Sequence, residues 1–192
     1  GGEIGITPDL ERTMPASDSA EDEAAAERYG AFCNRWFLDP VMKGTYPAEL
    51  VAAFPQIPPL DPTDAQLISQ PLDFLGVNNY TRSVWKHNEL GFLQAEHVLT
   101  DGKYTEMTWE VYPDGLYWLL TWLTKEYGGP VLYVTENGAA FEDHARPDGS
   151  VEDDDRLDYL REYLKACHRA IEGGADLRGY YLWTLMDNFE WA

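Results

Sequence analysis

The sequence predicts an α/β protein assembled from parallel β/α units. Three observations carry that reading: four short apolar runs recur along the chain, segments of helical spacing separate them, and glycine or proline marks most of the joints. Two architectures satisfy this pattern, an open doubly wound sheet and part of a closed barrel. No glycine-rich phosphate fingerprint follows any of the four runs, which removes the commonest reason to choose a nucleotide-binding open sheet. In either architecture function belongs at the carboxyl ends of the strands.

The first strand is expected at Ile4 to Thr7. Asp18 and Ser19 are placed to cap the following helix, with Glu21, Asp22 and Glu23 favourably sited in its first turn. Tyr29, Phe32, Cys33 and Trp36 fall at i, i+3, i+4 and i+7 and predict its buried face, and Pro40 is expected to end it. A proline-rich connection from Phe54 to Pro62 leads to a short helix at Thr63 to Ser69 and a second strand at Phe74 to Val77. Ser83 to Trp109 reads as a long irregular segment containing a hairpin, and a loop of that length is usually functional or mobile. Pro113 suits the first turn of a helix that runs to about Tyr127 and stops at Gly128 and Gly129.

The third strand, Val131 to Val134, is a continuous apolar run and predicts burial on both faces. Asn137 and Gly138 after it tolerate unusual backbone angles and predict a sharp exit from the sheet. The last helix, roughly Asp155 to Ile171, places Leu157, Leu160, Leu164, Cys167 and Ile171 on one face and ends at Gly173 and Gly174. A fourth strand follows at Tyr180 to Trp183.

Composition narrows the partners. A chain of 192 residues with 44% hydrophobic and 14% aromatic residues can bury a good-sized core. Its 14 Lys and Arg against 34 Asp and Glu give a formal charge of −20, which opposes nucleic acid and anionic membrane surfaces and favours a neutral or cationic small ligand. Cys33 and Cys167 are too few for a disulfide framework and are expected as buried free thiols, and the histidines His87, His97, His144 and His168 lack ligand spacing, so neither metal nor cofactor is expected. No run approaches a membrane span and no leader pattern opens the chain, from which a cytoplasmic location is expected. The opening GGEIGIT and closing NFEWA read as cut ends.

Reading outward from the strands gives GVNNYTR, TENG and WTLMDNFEW, which gather Asn78, Tyr80, Glu136, Trp183, Glu190 and Trp191 on one rim. That mixture suits a sugar, because carboxylates and amides bind vicinal hydroxyls while aromatic faces pack on the C–H face of a pyranose ring. A carboxylate at a strand end also serves structural networks, so Glu136 alone does not establish catalysis.

Five segments in one order change that balance: WFLDPVMKGTYP at 36–47, FLGVNNYTR at 74–82, WEVYPDGLY at 109–117, YVTENGAAF at 133–141 and GYYLWTLMDNFEWA at 179–192. With them the chain resembles glycoside hydrolase family 1, the β-glucosidase family, over essentially its whole length. The resemblance implies a (β/α)8 TIM barrel, of which residues 1–192 supply the C-terminal half of the single catalytic domain, strands five to eight with their intervening helices. It implies that Glu136 is the nucleophile and Tyr80 the phenol that orients it. Asn78, Trp109, Trp183, Glu190 and Trp191 are implied as substrate-binding residues, with Trp109 on the leaving-group side, Trp183 under the ring, and Glu190 and Trp191 on its hydroxyls. Keeping Glu190 points to an unphosphorylated glycoside, since a carboxylate repels a phosphate dianion.

The family's asparagine-glutamate-proline motif, which holds the acid/base glutamate, does not occur in this sequence, and neither Glu3 nor Glu11 replaces it. The implied partner is therefore a missing N-terminal half barrel, or a second copy, besides a small β-glucoside or oligosaccharide substrate. Asn79 stands where an aromatic is common, and TPDLERTMPAS departs from the usual segment after strand five. The implied function is a retaining β-glucosidase; the alternative is a non-catalytic carbohydrate-binding half barrel or assembly fragment.

Overall fold

The order of the strands decides between the two architectures. In a computed structural model that describes residues 1–54, 56 and 61–186, β1 (Gly5–Ile6), β3 (Phe74–Asn78), β6 (Leu132–Asn137) and β7 (Leu177–Leu182) form one parallel sheet in that spatial order. Each new strand is added on the same side, so right-handed crossovers put every connecting helix on one face. A doubly wound sheet needs a reversal of strand order, and among the described residues there is none. The progression is that of a barrel segment.

The helical face carries the main core. Leu75 and Val77 of β3 and Leu132 and Val134 of β6 are fully buried against Leu116, Leu119, Leu120 and Leu123 of α5 (Pro113–Glu126) and Tyr159 and Tyr163 of α6 (Asp154–Glu172). On the opposite face a side chain at Gly76 would collide with Thr7 and Thr135, so the strands approach closely there. Strand β6 is thus buried by alternation, with Tyr133 and Thr135 only half-buried, and not on both faces as its apolar run predicts.

Two helical faces also differ from expectation. Ser19 caps α1 (Ala20–Gly30) by accepting from the Asp22 amide, but a π-helical stretch (Ala31–Arg35) then widens the spiral and shifts its phase before α2 (Trp36–Lys43). Ala25, Ala26, Ala31, Asn34 and Leu38 are buried, whereas Tyr29, Phe32, Cys33 and Trp36 are half-buried. Pro40 does not stop the helix; it lies inside α2, which ends at Gly44 with a left-handed φ of 69°. In α6 the buried face is Tyr159, Tyr163, Ala166, Cys167 and Ala170, while Leu157, Leu164 and Ile171 are 55%, 48% and 47% exposed. The tyrosines win because their hydroxyls find buried partners: that of Tyr163 accepts from the Tyr112 amide and that of Tyr159 from Asn137.

Short helices α3 (Ala48–Ala53) and α4 (Pro62–Ile68) precede β3. A second, smaller sheet has no counterpart in the sequence pattern: β2 (Arg12–Pro15) pairs parallel with β4 (Arg82–His87), which forms the expected hairpin with β5 (Ala95–His97). Tyr29 stacks on Trp85 at 3.5 Å between ring centroids, which explains why the aromatic side of α1 faces this sheet. Both cysteines are free, and no helix among the described residues is long and apolar enough to cross a membrane.

Candidate active site

A bulge in β6 builds the site. From Val77 to Asn78 strand β3 advances one residue while its partner runs from Val134 to Glu136, and between Val134 and Asn137 the partner β7 advances only from Tyr180 to Leu182. One extra residue in β6 breaks the alternation there. Regular pairing would turn Glu136 to the same side as Leu132 and Val134, into the helical layer. With the bulge Glu136 stands opposite Asn78, and Asn137 takes the buried side.

Asn137 is fully buried and locks the bulge. Its Nδ2 donates to the Asn79 carbonyl at 2.7 Å and to the Tyr159 hydroxyl at 2.9 Å, and its Oδ1 accepts from the Tyr180 hydroxyl at 2.5 Å. It is a hub between three strands and α6, not the turn residue its type suggests. Gly138 is likewise required for space and not for an unusual backbone angle: a Cβ there would lie 1.9 Å from the Trp183 carbonyl oxygen.

The Tyr80 hydroxyl donates to Oε2 of Glu136 at 2.6 Å. Tyr80 is itself held by Trp109, with ring centroids 5.0 Å apart and an interplanar angle of 35°, and its backbone carbonyl accepts from Tyr163. Thr108, at a left-handed φ of 58°, forms the tight turn that presents Trp109. Asn78 accepts from Thr135 Oγ1 at 2.6 Å through Oδ1, and the Asn79 amide donates to the Glu136 carbonyl at 3.0 Å. Trp183 follows β7, its amide donating to the Asn137 carbonyl at 3.0 Å, and is joined to Thr184 by a cis peptide. Asn78, Tyr80, Trp109, Glu136 and Trp183 thus share one end of the sheet. Glu190 and Trp191 lie outside the described residues.

The structure adds residues that the sequence reading passed over. Asp9 bridges to Asn78, and partial burial followed by the Glu136 charge pushes its carboxyl above the ordinary aspartate value. Glu11 is raised by burial, only partly offset by the 2.7 Å hydrogen bond from Ser83, and further raised by Asp9. Beside Trp109, Glu110 receives Nε and Nη2 of Arg82 at 2.7 and 2.8 Å and Thr100 Oγ1 at 2.7 Å. Burial works against its charge, but those bonds hold the carboxyl below its ordinary value. Nothing in residue type marks Asp9, Glu11 or Glu110 as site residues; the Asp9–Asn78 bridge and the pairing of β2 with β4 bring in the first two, and Arg82 with Thr100 holds the third. Among the described residues no cluster of His, Cys, Asp or Glu is arranged to hold a metal ion.

What the arrangement offers chemically is one carboxylate aimed along the rim and steered by a neutral donor, with aromatic faces around it. The family model for glycosyl hydrolase family 1 matches residues 1–192. The chain is 44% identical to beta-glucosidase A of Acetivibrio thermocellus, over 99% of its own length and 44% of that protein. It is 40% identical to a bifunctional beta-D-glucosidase/beta-D-fucosidase of Bifidobacterium breve, over 99% of its own length and 46% of the relative. A beta-glucosidase from Thermotoga maritima in complex with deoxynojirimycin superposes with a TM-score of 0.93 at 39% identity, over 99% of this chain and 43% of that one. The chain therefore spans less than half the length of these relatives.

Proposed function

The chain belongs to glycosyl hydrolase family 1, and we propose that it carries the nucleophile half of a retaining β-glucosidase. In this reading its four core strands are strands five to eight of the barrel and residues 1–192 are one half of a single catalytic domain. The observation that carries it is the 2.6 Å hydrogen bond from Tyr80 to Glu136 at the bulged end of β6. A phenol that donates to one oxygen fixes the carboxylate's rotamer while leaving the other oxygen to attack.

The reaction is a double displacement. Glu136 attacks the anomeric carbon, the bond to the leaving oxygen breaks, and a second carboxyl roughly 5 Å away, contributed by the other half of the barrel, gives that oxygen its proton. The same group then takes a proton from water, which displaces Glu136 and releases the sugar. Asn78, Trp183, Glu190 and Trp191 hold the glycone, and Trp109 borders the leaving group. Terminal non-reducing β-D-glucosyl residues are the proposed substrate, with galactosides and fucosides as further candidates. The names of the relatives support this class, as does the deoxynojirimycin complex of the Thermotoga maritima beta-glucosidase.

The complementary partner is an N-terminal half barrel or a second copy. Support comes from the apolar side chains left open at both sides of the sheet and its helices: Ile4 beside β1, Tyr181 and Leu182 in β7, and the Leu157, Leu164 and Ile171 stripe of α6.

A 2-deoxy-2-fluoroglucoside with a dinitrophenolate leaving group tests the proposal, because that leaving group departs without acid assistance. The expected result is a covalent adduct on the peptide containing Glu136, lost in Glu136→Gln. Saturable binding without an adduct favours the non-catalytic carbohydrate-binding half barrel instead.

A further inference from the structure

A cavity of about 690 Å3 opens between α1, the π-helical stretch, β2 and α5, and its lining includes none of Asn78, Tyr80, Trp109, Glu136 and Trp183. Its floor is an aromatic column. The Arg12 guanidinium lies 3.6 Å over the ring of Trp118, which runs nearly parallel to Trp122 at 9° and 5.5 Å. Arg12 is half-buried, and its guanidinium has neither an ion pair nor a hydrogen bond among the described residues, in a chain with 34 acidic residues against 14 basic ones. Glu23 and Glu27 of α1 line the same cavity and their carboxylates are likewise unpaired among the described residues. Opposite charges thus line one cavity, Arg12 half-buried and Glu23 and Glu27 at exposed positions, without an ion pair between them.

We infer that this cavity is a second carbohydrate-binding site, which takes a neutral hydroxyl-rich ring such as one unit of a disaccharide. The guanidinium donates to hydroxyl oxygens and the carboxylates accept from hydroxyl protons, so a polyol satisfies both sets where an ion satisfies one. Anions meet Glu23, Glu27 and Glu126, and cations meet Arg12 and Arg35. The indoles supply apolar walls for C–H groups, and the volume lies in the range of small-molecule sites. The site is independent of the role proposed for Glu136.

Cellobiose titrated into the 15N-labelled chain tests it, read at the indole N–H resonances of Trp118 and Trp122. Those two resonances are expected to move together and saturate, unchanged in Glu136→Gln, while Arg12→Ala weakens the response by about tenfold or more. Glu27→Gln, at an exposed helix position, is the second variant and is expected to weaken binding without disturbing the fold. Resonances that stay fixed through about 10 mM cellobiose, tenfold above a 1 mM dissociation constant, or that move equally in both variants, overturn the inference. Movement only at Trp109 and Trp183 assigns all binding to the active site and also overturns it. Failure here leaves the covalent adduct test on Glu136 untouched.

Discussion

Two glutamates flank Trp109, Glu110 beside it in sequence and Glu136 reached through the ring of Tyr80, and their surroundings are opposite. Glu110 spends both oxygens on the Arg82 fork and on Thr100, and Arg82 in turn lies 3.6 Å over the ring of Tyr112. Among the described residues the Glu136 carboxylate accepts one hydrogen bond, from a neutral phenol. A carboxylate enclosed by a cation is a brace whose charge is cancelled in place, whereas one steered at a single oxygen keeps a lone pair to give. The difference separates structure from chemistry better than residue type does.

The comparison breaks most visibly at Glu136. In the barrel completed by its other half, Glu136→Gln is expected to lower kcat on the order of 10^4-fold or more with little loss of stability, measured by steady-state kinetics and urea unfolding side by side. Glu110→Ala should do the reverse. It leaves a half-buried guanidinium uncompensated and is expected to cost about 3 kcal/mol of stability, while the fluoroglucoside still labels Glu136. Because the Glu110 carboxyl is held below its ordinary value, that cost is present above about pH 4.3 and fades as pH falls through the native value.

Smaller effects sharpen the contrast. Tyr80→Phe removes one hydrogen bond to a charged acceptor and is expected to slow labelling of Glu136 by roughly 10 to 100-fold, with the unfolding midpoint nearly unchanged. Glu11 provides the mildest test, through its raised carboxyl. Its contribution to stability is complete below the unfolded value of about 4.3 and is lost as pH rises through the higher native value. Glu11→Gln should therefore match the parent in acid and become the more stable of the two toward neutral pH, as read from unfolding curves at several pH values.

Much of this was legible in the residues and part was not, for physical reasons. Alternating strands and helices located every strand of the main sheet to within a few residues, and TENG with NNYTR located the pair that meets at 2.6 Å. The bulge was not legible, because an extra residue in a strand leaves no mark on hydrophobic spacing and shows only in the pairing registers. Asn137 was misread for the same reason: beside a glycine it has the look of a turn, and only the buried hydroxyls of Tyr159 and Tyr180 make it a hub. The α6 face was misassigned because leucine outranks tyrosine on hydrophobicity, while burial went to the side chains whose polar tips had partners. The small sheet escaped because β2 is too polar and short to show an apolar run.

The bulge also governs how this segment can be edited. Forcing the full-length strand into an unbroken ladder would make it more regular, yet it would rotate the acid inward and deliver the amide to the rim. A transplant of TENG into another scaffold therefore needs its inserted residue and the two tyrosines that clamp the amide; the four letters alone would graft a tidy strand with its business end facing the wrong way.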